Sequence, residues 1–138
     1  MFTVDWHWLF SATVVFQATG TQKSSFSDGE IVVFPTVTYN EGSGYNRVTG
    51  KFTAPASGVY AFTKQTCTHN NYALTAFVHN TNNLLASEIS STGYSCSSAH
   101  VFVQMSRGEQ LWVKTTSSTF LYVDAVAHAS FSGVLMHD

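Results

Sequence analysis

Charge is scarce in this sequence. Eight acids and six bases make up 10% of its 138 residues and leave a formal net charge of −2. The six bases (Lys23, Arg47, Lys51, Lys64, Arg107 and Lys114) stand singly. No basic stripe is therefore available to neutralise phosphates, which excludes nucleic acid as a partner and a polybasic membrane contact with it. Long apolar runs are missing too. Nothing approaches the ~18–20 consecutive apolar residues of a membrane helix, so no membrane insertion is expected. With 44% apolar residues and little net charge, the usual composition of a disordered chain is equally excluded. The first eight residues lack a basic region and a small-residue cleavage site, so a leader is expected to be absent or already removed. No Asn-x-Ser/Thr sequon occurs, and N-glycosylation is not expected. Cysteine is limited to Cys67 and Cys96, which leaves one disulfide, two free thiols or inter-chain bonds open.

Neutral polar groups take the place of charge. Ser (17), Thr (17) and Asn (7) supply 41 residues, a surface that binds through neutral hydrogen bonds if it binds at all. The length is that of one domain. Val outnumbers Leu by 15 to 7, and the apolar stretches are short, rich in β-branched and aromatic residues, and bounded by turn formers. Period-two alternation is plain at Phe10, Ala12, Val14 and Phe16 and again at Val101, Val103 and Met105. The pattern predicts about ten strands, near 4–9, 12–18, 31–39, 47–54, 58–67, 72–79, 84–90, 99–106, 110–116 and 129–136, in an antiparallel sandwich or barrel. Pro35 marks the third of these as an edge or bulged strand, because proline has no N–H for the ladder. Val4, Trp6, Trp8 and Phe10 form an aromatic stripe in residues 1–12. It reads either as an extra strand buried on the domain or a neighbouring subunit, or as an exposed platform for a partner.

Catalytic constellations are lacking. His7, His69, His79, His100, His128 and His137 show no ligand spacing on a helix or a strand face, so only a sequence-distant cluster is left for zinc. There is no Gly-x-Ser-x-Gly elbow, no cysteine in an activating setting, no paired carboxylates, and no phosphate-cradling loop before a helix. The expectation is a non-catalytic protein without metal or cofactor.

Two stretches are more specific. Residues 31–62 carry, in order, Phe34, Asn40-Glu41-Gly42, Tyr45-Asn46, Thr49-Gly50, Phe52-Thr53-Ala54-Pro55 and Gly58-Val59-Tyr60-Ala61-Phe62. This resembles the central signature of the globular head of complement C1q. Arg107-Gly108-Glu109-Gln110-Leu111-Trp112-Val113 resembles its late hairpin, and Phe131-Ser132-Gly133-Val134-Leu135 its last strand. The resemblance runs from about Thr13 to the C-terminus and separates an N-terminal extension (1–12) from a head domain (13–138). It implies an all-β, ten-stranded antiparallel jelly roll like that of tumour necrosis factor, forming a homotrimer, usually secreted and used for recognition. A trimer is also expected to bury aromatic faces that one chain of this size, with 20 Phe, Trp and Tyr, leaves uncovered.

The family's sheet order places the strand ending near Cys67 antiparallel to the one beginning near Cys96. That arrangement implies a cross-strand disulfide closing a loop of about 30 residues, with two buried thiols as the alternative. The end of the sandwich remote from the termini should gather the loops 19–30, 68–71, 91–98 and 117–128, and with them His69, Asn70, Asn71, Tyr94, Asp124 and His128. Amide, imidazole and carboxylate groups beside an aromatic face suit a sugar. Calcium, bound by many relatives near the trimer axis, is not expected, since no acid lies between Ile89 and His100. The chain has no Gly-x-y tract and therefore resembles the head-only members common among invertebrate immune lectins. The expected function is a secreted, trimeric lectin of innate immunity that binds microbial or sialylated glycans. The alternative is a structural or signalling ligand for a protein receptor.

Overall fold

The computed structural model describes residues 12–90, 92–122 and 129–138. Its strands are β1 (Val15–Thr19), β2 (Ser25–Phe26), β3 (Ile31–Val32), β4 (Thr36–Glu41), β5 (Phe52–Thr53), β6 (Gly58–His69), β7 (Tyr72–His79), β8 (Asn82–Ser90), β9 (Tyr94–Met105), β10 (Gln110–Thr115), β11 (Thr119–Phe120) and β12 (Ser130–His137). One sheet runs β4-β1-β12-β6-β9, and the other runs β3-β10-β7-β8 with β5 also paired to β10. β2 and β11 form a separate ribbon. Every pairing is antiparallel. The two main sheets thus hold ten strands, as the jelly roll requires, although the predicted strand at 4–9 and the Trp6/Trp8 stripe lie outside the described residues.

Three predicted strands came out differently. The one expected over 99–106 begins at Tyr94, so most of the predicted 91–98 loop is strand β9 paired to β6. The single strand expected over 31–39 is split, because the chain leaves one sheet after β3 and enters the other at β4. Pro35 has no N–H to continue a ladder. The Tyr45 hydroxyl takes up the backbone of Phe34 at the crossing, accepting from its N–H at 2.9 Å and donating to its carbonyl at 3.0 Å. Burial pushes the Tyr45 phenol up to about 12, so it stays protonated and able to donate. The strand expected over 47–54 shrinks to β5. Asn46 Oδ1 accepts from the N–H groups of Val48 and Thr49 at 2.8 and 3.2 Å, a local turn that outcompetes strand pairing.

The core lies between the sheets and is largely aromatic. Phe16 stacks on Tyr45 (5.0 Å between centroids) and meets Phe131 edge-on (4.9 Å). Gly133 is required there, since a Cβ at that position would approach Phe62 Cδ1 to 2.6 Å and Phe16 Cε1 to 2.7 Å. Seven phenylalanines (16, 26, 34, 52, 62, 77 and 131) with Tyr45 and Tyr60 are buried inside one chain. These are nine of the 20 aromatic residues, and Tyr39 and Phe102 among the others stay exposed on the single chain, which leaves aromatic surface for the expected trimer to cover.

Among the described residues one charge is buried in this core. Lys64 is 1% exposed, and its ammonium reaches from β6 across to the other sheet. It donates to Thr75 O (3.3 Å), Thr75 Oγ1 (2.9 Å) and Ser87 Oγ (2.5 Å), with the Phe77 ring 5.4 Å away. Three N–H donors meet three neutral acceptors, so the group is fully hydrogen-bonded without a counter-charge. Burial pulls its titration down to about 8.

Candidate functional site

The site follows from a mismatch in strand length. β12 reaches β6 only as far as the pair Ser130 and Gln65, while β6 and β9 stay paired to His69 and Tyr94. Past the end of β12 the vacated edge of β6 is taken by the segment after β11, whose Tyr122 N–H donates to Cys67 O at 2.8 Å. Cys67 and Cys96 are directly opposed in the ladder and joined by a disulfide, with their Cα atoms 4.0 Å apart and a sequence separation of 29.

Two residues further along each strand, and so on the same sheet face, His69 and Tyr94 stack at 4.1 Å between centroids and 9° between planes. Tyr122 closes the group edge-on, 5.1 Å from Tyr94 and 6.3 Å from His69. Tyr94 remains 68% exposed. An open phenol ring held by neighbours on rigid strands is a preorganised stacking surface.

The adjoining turn is pinned by its own amides. Asn70 sits at φ 52°, a left-handed conformation that asparagine tolerates. Its N–H donates to Gly93 O at 3.0 Å, and its Oδ1 accepts from the Gly93 N–H. That second bond fixes the amide orientation, so Nδ2 is the group facing His69 Nε2 at 3.3 Å. Asn71 Oδ1 accepts from the Tyr72 N–H at 3.1 Å.

Of the six residues proposed from sequence, His69, Asn70, Asn71 and Tyr94 meet at this end of the sandwich, while Asp124 and His128 lie outside the described residues. Tyr122 was missed. Its place depends on where β12 stops, and nothing local in its sequence signals that. Among the described residues no three His, Cys, Asp or Glu side chains gather to hold a metal ion, and no helix is long and apolar enough to cross a membrane.

Elsewhere on the β4-β1-β12-β6-β9 sheet, the outer face carries an apolar groove of about 620 Å³ lined by Val15, Gln17, Tyr39, Ala61 and Val134 among others. Phe102, opposite Ala61 in the ladder, is 66% exposed beside it.

Residues 15–136 match the C1q domain family. Complement C1q tumor necrosis factor-related protein 3 of Mus musculus is 29% identical over 111 residues, covering 78% of this chain and 45% of that protein. The Homo sapiens protein of the same name is 28% identical over the same coverage. The chain thus spans a little under half the length of these curated relatives. Among solved structures, the globular domain of zebrafish complement 1qA protein is similar with a TM-score of 0.74 at 17% identity, over 90% of this chain and 98% of that one. Murine APRIL at pH 5.0 gives a TM-score of 0.72 at 14% identity, over 90% and 99%. These likenesses establish a shared jelly-roll fold.

Proposed function

The chain belongs to the C1q-domain family, whose members are non-enzymatic ligand-binding proteins, and on that premise we propose that it is a secreted lectin of innate immunity. As a homotrimer it binds microbial or sialylated glycans multivalently. The observation that carries the reading is the exposed Tyr94 ring, stacked on His69 and braced by Tyr122. One face of a sugar ring is apolar and packs on such a surface while its hydroxyls bond to amides. Three identical weak sites on one rigid body gain avidity without new contacts, which suits repetitive microbial surfaces. The apolar groove beside Phe102 supports a subunit interface on the outer sheet face, eight residues along β9 from Tyr94 and so away from the aromatic platform, and a low net charge limits repulsion between packed copies. The disulfide supports an oxidising, extracellular setting.

A glycan array run on protein confirmed as a trimer by light scattering tests this. Binding of one glycan class, lost in Tyr94→Ala, is the expected result. An array without signal above background overturns it. The second reading, a ligand for a protein receptor, draws on Leu85, a large apolar side chain left exposed on β8 of the other sheet. Competition separates the two, since free monosaccharide inhibits a lectin and leaves receptor binding unchanged.

A further inference from the structure

We propose that the glycan bound at this end is neutral and extends over at least two sugar units, the second seated in a polar depression between the β2–β11 ribbon and the Asn70–Asn71 turn. The inference rests on the lectin reading and deepens it. The depression measures about 410 Å³, and its lining includes Lys23, Ser25, Ser27, Asn71, Ser118 and Phe120. Asn71 belongs to both places, because the turn that borders the Tyr94 platform also contributes to this wall. One molecule lying along the turn therefore meets an aromatic face at one end and hydroxyl and amide groups at the other.

The depression is built on fixed backbone. Thr119 pairs with Phe26 and Phe120 with Ser25, Leu121 N–H donates to Ser24 O at 2.8 Å, and Thr119 Oγ1 accepts from the Leu74 N–H at 3.1 Å. Serine hydroxyls donate and accept, and the Asn71 amide adds donors, so the wall matches vicinal sugar hydroxyls that also do both.

Charge decides the ligand class. Lys23 is the one cation of this lining among the described residues, and it is committed, with Nζ 2.8 Å from Glu30 Oε2 and 5.2 Å from the centre of the Phe26 ring. The hydrogen bond from Lys23 holds the Glu30 carboxyl below its ordinary range against the opposing effect of burial. A sialic acid carboxylate arriving at Lys23 has to share the ammonium with Glu30 and is repelled by that carboxylate. A neutral hydroxyl can accept from the ammonium and donate to Glu30 without disturbing the pair.

The test compares trimeric wild type with Ser118→Phe, which fills the depression from an exposed position, using calorimetry on a neutral oligosaccharide chosen from the array, its monosaccharide, and its sialylated counterpart. Expected are a preference for the neutral oligosaccharide, a loss of at least about tenfold in its affinity in Ser118→Phe, and unchanged monosaccharide binding. Ser25→Tyr, which blocks the same space from the other strand, replaces Ser118→Phe should that variant fail to fold. Unchanged oligosaccharide affinity in the blocked variant, or tighter binding of the sialylated form, overturns the inference and leaves the lectin reading standing. Absence of any glycan binding by wild type overturns both.

Discussion

Lys64 has a folded-state titration near 8 against an ordinary value of 10.5, and this makes stability pH-dependent with a definite sign. Between these values the unfolded chain binds more protons than the folded one, so stability rises with pH through that window. Below it the ammonium is charged in both states and the full cost of its burial applies. The rise amounts to about 3 kcal/mol if fully expressed. Tyr45 acts in the other sense. Its phenol, raised from 10.0 to about 12, contributes stability that is present below pH 10 and lost above it. Urea midpoints are therefore expected to climb between pH 7.5 and 9.5 and to fall beyond pH 10, and Lys64→Met is expected to abolish the climb. A flat profile in wild type, or an unchanged climb in Lys64→Met, contradicts the assignment. At this scale the sequence held two opposing signals. Period-two alternation with Tyr60 and Phe62 put Lys64 inward, its charge put it outward, and the alternation prevailed because Thr75 and Ser87 supply acceptors that only the folded sandwich brings together.

At the scale of elements, the pairing of β6 with β9 beyond the end of β12 is held by one covalent link. Replacing both Cys67 and Cys96 by serine is expected to cost about 3.6 kcal/mol, the chain-entropy value for a loop of this size. The molecule should still fold, since the ladder continues to Gly58 and Met105. Denaturation of the variant, and of wild type with and without a dithiol reductant, checks this. Equal midpoints in all cases would show the link to be energetically idle. The long strands were readable because alternation and turn residues act locally, and the 72–79 strand agrees to the residue with β7. β2 and β11 were not readable. They are two residues each, and their pairing of Phe26 with Thr119 exists only once distant segments meet. Tyr122 was hidden for the same reason, while Tyr94 and His69 became visible through the family's strand order and not through any local pattern.

At the scale of the whole molecule, the outer face of the β4-β1-β12-β6-β9 sheet is where subunits are proposed to meet. Val134→Glu combined with Phe102→Glu places charges in and beside the apolar groove, and both side chains point away from the core. Light scattering is expected to give one third of the wild-type mass, with the circular dichroism of a folded β protein retained. A trimer that survives both substitutions puts the interface elsewhere. Within one copy, the lysine that bridges the two sheets also constrains how this sequence can change. Thr75 and Ser87 are two among 34 serines and threonines, and by composition they look interchangeable with any other. Yet each holds a share of one buried ammonium, so an apolar replacement of either leaves a charge short of a partner, whereas joint replacement of all three with Lys64 removes the demand. The three positions are thus a single heritable unit spread over three strands, and a drift in any one of them is tolerated best when the other two change with it.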